Sequence, residues 1–202
     1  MAKLFLQRHL KSHWNDENRF AGWADGPLEK GSAEKAKVLS DEIFRFKIDK
    51  IYTSPLFRNM DTVVEICNPL PEKYPFFIHL DGGKMQKWGN YVDITDNDIP
   101  TYVSEKLNER YYGNKLQGLN KTEIIKKYGE EKVHLWRRRH TVAPPGGESG
   151  KDVYERVIPF FKKYIEKDLK LGKNILVVAS HNSLRVIIKY LEKISDEKFG
   201  DI

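Results

Sequence analysis

In Asn174-Ile175-Leu176-Val177-Val178-Ala179 the five residues after Asn174 are apolar without a break, and the run then gives way to Ser180-His181-Asn182-Ser183. A strand with one wet face alternates polar and apolar side chains. A run that is apolar throughout needs cover on both faces, as in the middle of a parallel sheet. Leu184, Ile187, Ile188 and Leu191 then recur at helical spacing, so a helix opens where the strand stops. The same grammar recurs upstream. Leu4-Phe5-Leu6 reads as a first strand ending in Arg8-His9. A helix is expected over residues 32–46, with Ser32 as its N-cap, and a strand over 48–52. Met60, Val63, Val64 and Cys67 mark the buried face of the next helix, and a third strand is expected over 74–80. Strand and helix in alternation predict an α/β fold: three layers, with a mostly parallel central sheet.

Less regular sequence follows. Residues 81–100, with Gly82-Gly83 and Gly89-Asn90, read as a loop-rich insertion in one domain spanning 1–202. Asn120 and Glu123 suggest a capping-box variant opening a helix to Tyr128, and a further helix is expected over 130–139. Val153, Val157, Phe160, Phe161 and Tyr164 predict a long amphipathic helix that Pro159 should bend.

The 202 residues carry 40% hydrophobic content, enough for one core, and a net charge of +6 that favours anionic partners. Basic residues form no continuous stripe, so a small phosphorylated substrate is a better fit than nucleic acid. No apolar run is long enough for a membrane span, and no signal peptide is legible, so the chain reads as cytoplasmic. The single cysteine, Cys67, falls in an apolar helical pattern and reads as core.

Three strands end in polar chemistry. The first presents Arg8 and His9; the second Ser54 and, a turn later, Arg58; the last His181 and Asn182 at a helix N-terminus, where free N–H groups favour anions. In a parallel sheet these ends share one edge, the edge at which ligands bind. Two histidines and two arginines would then surround one anion. Arginine holds phosphate through its fork of donors, and neutral imidazole can attack phosphorus.

Arg8 to Asn15, Phe20-Ala21-Gly22-Trp23, Tyr52-Thr53-Ser54, Arg58, Leu107 to Gly113, Leu116 to Lys121, Trp136-Arg137-Arg138 and Asn182-Ser183-Leu184-Arg185 occur in that order. Together they resemble the 2,3-bisphosphoglycerate-dependent phosphoglycerate mutases, within the histidine phosphatase superfamily, over almost the whole chain. The resemblance implies a phosphoglycerate mutase-like fold and interconversion of 2- and 3-phosphoglycerate in glycolysis and gluconeogenesis. It implies a phosphohistidine at His9, primed by 2,3-bisphosphoglycerate and without a metal. By the same resemblance Arg8, Arg58 and His181 surround the moving phosphoryl group and Glu109 is the general acid/base. Tyr112, Lys121, Arg137 and Arg138 hold the substrate's carboxylate and its second phosphate. Ser12, Asn15, Ala21, Gly22, Arg110 and Asn182 complete the implied binding set. Family members occur as monomers, dimers and tetramers, so a homo-oligomer is compatible.

The chain also departs from the family. Leu10 and Lys11 stand where glycine and a glutamine or glutamate are usual, and Ala21 replaces a threonine hydroxyl. Leucine is strained if its position needs a positive φ. The usual His-Gly-Asn-Ser-Leu-Arg is Ser180-His181-Asn182-Ser183-Leu184-Arg185. Ungapped, Ser180 takes the histidine's place; with one deletion His181 does. His181 is preferred, because serine carries no positive charge. The family usually continues beyond the position of Ile202 into a strand and a tail near the site. Alternative readings are a histidine phosphatase using water as acceptor and, further back, a non-catalytic binder of phosphorylated metabolites.

Overall fold

A computed structural model describes residues 2–89 and 93–202. The chain runs β1 (Leu4–Arg8), α1 (His13–Asp16), α2 (Ser32–Ile43), β2 (Lys50–Thr53), α3 (Phe57–Cys67), β3 (Tyr74–His79) and α4 (Gly83–Trp88). It continues through β4 (Asp98–Val103), α5 (Lys121–Tyr128), α6 (Glu130–Arg138), α7 (Gly150–Phe160), α8 (Lys167–Lys170), β5 (Ile175–Ala179) and α9 (His181–Leu191). The five strands form one sheet in the order β1-β5-β2-β4-β3, every neighbouring pair parallel.

All five residues of β5 are buried, as a doubly covered strand requires. Their alternation feeds two cores. Ile175, Val177 and Ala179 pack with Val153, Val157 and Phe161 of the α7 side and Val186 and Ile187 of α9. Leu176 and Val178 pack with Ala36 and Ile43 of α2 and Val63, Ile66 and Cys67 of α3. Burial drives the Cys67 thiol up to about 12, so it stays protonated in the core. A third cluster, Phe20, Leu116, Ile124, Val133 and Trp136, lies apart from the sheet and joins α5 and α6 to the loop after α1.

The stretch expected to be irregular holds α4 and the start of a fifth strand, β4, inserted between β2 and β3. Pro100 hides it, because proline argues against a central strand. The register with β2 begins only at Thr101, one residue later, and Ile99, Thr101 and Val103 alternate inward. Residues 90–92, part of that same stretch, lie outside the described residues.

Two other expectations shift. Ser32 is the first helical residue of α2, with Gly31 (φ 89°) as the N-cap. Past Pro159 the helix widens into a π turn over Phe161–Glu166 before regaining α geometry in α8. A proline inside a helix removes one ladder bond and crowds the preceding turn, and a wider turn accommodates both. Among the described residues no helix is long and apolar enough to cross a membrane.

Candidate active site

Because every strand is parallel, Arg8, Thr53 and Ala179 end at the same edge, and the registers bring Arg8 opposite Ala179 and Thr53 opposite Val178. His9 extends β1 by one bond, its amide donating to the Ala179 carbonyl at 3.1 Å. Its ring Nδ1 lies 2.6 Å from the Leu10 carbonyl, which cannot donate. The proton therefore sits on Nδ1, and Nε2 keeps its lone pair. Burial, then the charges of Arg58 and Arg8, hold this imidazole down to about 3. His9 is accordingly neutral near pH 7, the state in which it is a nucleophile.

Leu10 does not crowd this position. Its side chain is buried in the α2–α3 core, its amide donates to Thr62 Oγ1 at 2.9 Å, and its φ is not positive. The strain conditional on a left-handed backbone does not arise. Ser12 is likewise turned away: its hydroxyl caps α1 in a reciprocal box with Asn15.

Arg58, in the first turn of α3, is almost fully buried. It donates to the Gly22 carbonyl at 2.7 Å and to Ala24 at 2.9 Å, while its Nε is buried with no hydrogen-bond partner. Gly22 sits at φ 52°, a left-handed backbone that favours glycine, and a Cβ there would also displace Gln117 Oε1, 2.8 Å away. Beneath Arg58, Asn59 donates to Ser54 Oγ at 2.6 Å and Ser180 Oγ at 3.2 Å. Ser180 is thus buried in a strut between the β2 and β5 ends, while His181, the first residue of α9, lines the cleft.

Glu109 is buried in a segment without helix or strand. Its Oε1 accepts from the Arg110 amide at 2.6 Å and from Asn182 Nδ2 at 2.7 Å. Burial alone pushes this carboxyl up. The two hydrogen bonds and the charges of Arg58 and Arg110 outweigh it and hold the group below the usual carboxylate range. His181 is shifted down by burial, with Arg185, Arg8 and Arg138 acting against Glu109.

These groups face a cleft of about 270 Å³. Six basic side chains line it (Arg8, Arg19, Arg58, Lys121, Arg137 and Arg138) against one carboxylate, Glu109, among the described residues. Burial, then Arg137 and Arg8, weaken the hold of Lys121 on its proton. One carboxylate in the lining does not balance this mutual repulsion, which is the electrostatic condition for taking up an anion of several charges. Asn15, Ala21, Gly22, Tyr112 and Asn182 also reach the cleft; Ser12 and Arg110 do not. Arg110 is wholly buried behind it, donating to the Arg137 carbonyl at 3.2 Å with its guanidinium against the Tyr112 ring.

Sequence reasoning misses Arg19 and gives no role to Gln117 or Arg185, although these two lie in segments that carry the resemblance. Arg19 lies one residue before the Phe20-Ala21-Gly22-Trp23 segment, and Gln117 holds the Trp23 amide at 3.1 Å. Arg185 donates to Asn182 Oδ1, to the Arg137 carbonyl and to the Phe199 carbonyl, tying α9 to α6 and to the last residues of the chain. Among the described residues no cluster of histidine, cysteine and carboxylate side chains is suited to a metal ion.

A neutral imidazole at the edge of a parallel sheet, with cations on its open side, belongs to a phosphotransfer protein that works through histidine. This chain is a member of the histidine phosphatase superfamily, branch 1, whose profile matches residues 4–88 and 92–202. It is 45% identical to the 2,3-bisphosphoglycerate-dependent phosphoglycerate mutase of Methanococcus vannielii, covering 98% of this chain and 84% of that protein. Against the enzyme of the same name from Chlamydia pneumoniae the identity is 42%, covering 98% and 87%. Among solved structures, the mycobacterial glucosyl-3-phosphoglycerate phosphatase superposes with a TM-score of 0.78 at 20% identity, covering 100% of this chain and 87% of that one. The α-ribazole phosphatase of Shigella flexneri gives 0.72 at 20% identity, covering 98% and 84%. At that identity the likeness is one of fold.

Proposed function

We propose that this protein is a 2,3-bisphosphoglycerate-dependent phosphoglycerate mutase that interconverts 2- and 3-phosphoglycerate in glycolysis and gluconeogenesis through phospho-His9. One observation carries the reading: the cleft has more cations than a single phosphoryl group needs. Arg8 and Arg58 stand with the two histidines, while Lys121, Arg137 and Arg138 come from α5 and α6, a separate structural unit. A substrate with a phosphate and a carboxylate at opposite ends matches two such sets.

The same surplus fits 2,3-bisphosphoglycerate, as does the buried, partnerless Arg58 Nε. Arg8, Arg58, Lys121, Arg137 and Arg138 would hold it; when bound, it supplies the phosphoryl group that loads His9. In the transfer step the hydroxyl of the bound phosphoglycerate loses its proton to Glu109 as its oxygen attacks the phosphorus of phospho-His9. The P–N bond breaks and the electron pair returns to Nε2. Arg8 and Arg58 neutralise charge on the phosphoryl oxygens in flight, and the neutral His181 ring donates an N–H to them. The Leu10 carbonyl keeps Nδ1–H bonded throughout.

The test is phosphorus NMR of the protein with 3-phosphoglycerate and a trace of 2,3-bisphosphoglycerate. A 2-phosphoglycerate signal that depends on the trace is expected. Inorganic phosphate in its place would make the protein a phosphatase of the same family, and neither signal would leave a metabolite binder.

A further inference from the structure

Glu109 sits on backbone with no regular ladder of its own: residues 108–113 are neither helix nor strand. A general base must nonetheless be held within a fraction of an ångström of its proton. Something outside the cleft has to hold that main chain.

We propose that Arg156, locked to Glu148, is the positioning residue for Glu109. Arg156 lies on α7, whose N-terminus is fixed by a capping box between Ser149 and Asp152. Its guanidinium meets Glu148 in a two-pronged pair, Nε to Oε1 at 2.7 Å and Nη2 to Oε2 at 3.0 Å. The remaining donors grip the segment itself: Nη1 to the Lys106 carbonyl at 2.8 Å and Nη2 to the Glu109 carbonyl at 2.9 Å. Glu148 completes the grip, its Oε2 accepting the Tyr111 amide at 2.8 Å and its own amide donating to the Tyr111 carbonyl at 2.8 Å. Main-chain groups on both sides of Glu109 are thus held by one ion pair on a capped helix. The Trp23 indole adds a second donor to the Glu109 carbonyl and packs its ring against the guanidinium.

Arg156 is not among the residues lining the cleft. A planar five-donor fork is needed to make this set of bonds, and lysine, with the same charge, cannot span it. The pair therefore controls where the Glu109 carboxylate points, without touching substrate.

This inference rests on reading Glu109 as the acid/base, and the two fail in different ways. The two half-reactions differ in their need for a proton acceptor. Loading of His9 from 4-nitrophenyl phosphate releases a phenolate that needs no proton. Discharge of phospho-His9 onto the hydroxyl of 3-phosphoglycerate needs Glu109. In rapid-quench experiments Arg156→Lys should leave loading within about 3-fold of the unaltered protein and slow discharge roughly 100-fold, the scale of a small misplacement of a reacting group. Glu148→Gln should do the same, and the double variant should be no worse than Arg156→Lys, because the two act as one unit. Equal slowing of both half-reactions would reduce Arg156 to a structural role and overturn the proposal; unchanged discharge would overturn it too. If the unaltered phosphoprotein does not discharge onto 3-phosphoglycerate at all, the mutase reading falls. Positioning is then decided by the ¹³C NMR titration of the Glu109 carboxyl. A titration moved upward in Arg156→Lys supports it, and an unmoved one overturns it.

Discussion

Asn182 Nδ2 donates to Glu109 Oε1 across 2.7 Å, joining the first turn of α9 to a segment that comes from the other side of the cleft. The same amide reaches the Tyr112 hydroxyl at 3.3 Å, and Arg185 at 3.4 Å from Oδ1 sets which way the amide faces, because arginine only donates. The bond stabilises the ionised form of Glu109, so its loss raises that carboxyl. Asn182→Ala should therefore lose activity first at low pH, with the acid limb of kcat displaced upward. A hydrogen bond to a charged group contributes about 1.5–3 kcal/mol, so a loss of roughly 10-fold or more at pH 5.5, shrinking toward pH 8, is expected. A pH–rate profile whose acid limb stays in place would separate Asn182 from Glu109.

Neutral His9 has a consequence for stability. In the folded protein it takes a proton only at about 3, whereas the unfolded chain takes one near 6.5. Between those values the unfolded state binds more protons, so stability falls as pH falls through that window. Through His9 alone the protein should lose about 2 kcal/mol between pH 7 and pH 5. Urea unfolding of the unaltered protein and of His9→Asn at both pH values checks it: the variant should lose less on acidification by about that amount.

Ser180 and His181 are adjacent but face different surroundings. His181→Ala should slow phosphoryl transfer by roughly 100-fold or more, as removal of a charge-stabilising donor does. Ser180→Ala should leave transfer within about 3-fold while costing about 1–3 kcal/mol of stability, since Asn59 loses a buried acceptor. Rapid-quench kinetics beside denaturation would separate the two; the opposite pattern would exchange their roles.

Leu10→Gly tests whether that side chain serves the core or the phosphate pocket. Its packing against the α2–α3 core predicts a loss of about 2–5 kcal/mol, the range for emptying a buried leucine site. His9 phosphorylation per folded molecule should be unchanged. A faster phosphorylation in the glycine variant would show that Leu10 does obstruct the pocket.

The sheet and its edge were legible because hydrophobic burial writes itself locally. A doubly covered strand must be apolar throughout, as residues 175–179 are, and parallel strands must end together. Strand β4 was not legible, since Asp98 and Pro100 break the local pattern and only its neighbours β2 and β3 make it a strand. Arg19 and Arg156 carried no signal that separates them from the other basic residues of a chain with net charge +6.

Residue pattern alone carries the α/β alternation, the expectation that the first, second and last strands end at one edge, and the kind of chemistry gathered there. Which side chains at those ends face the cleft is settled by long-range packing. Leu10 turns into the core beside a cleft-lining His9, Ser180 into a strut beside a cleft-lining His181, and Arg110 behind the cleft beside Glu109. The physical reason is the same in each case. Consecutive side chains at a strand end or a turn point in different directions, so residue type and spacing alone leave the choice open. Packing and hydrogen bonding to partners distant in sequence make it.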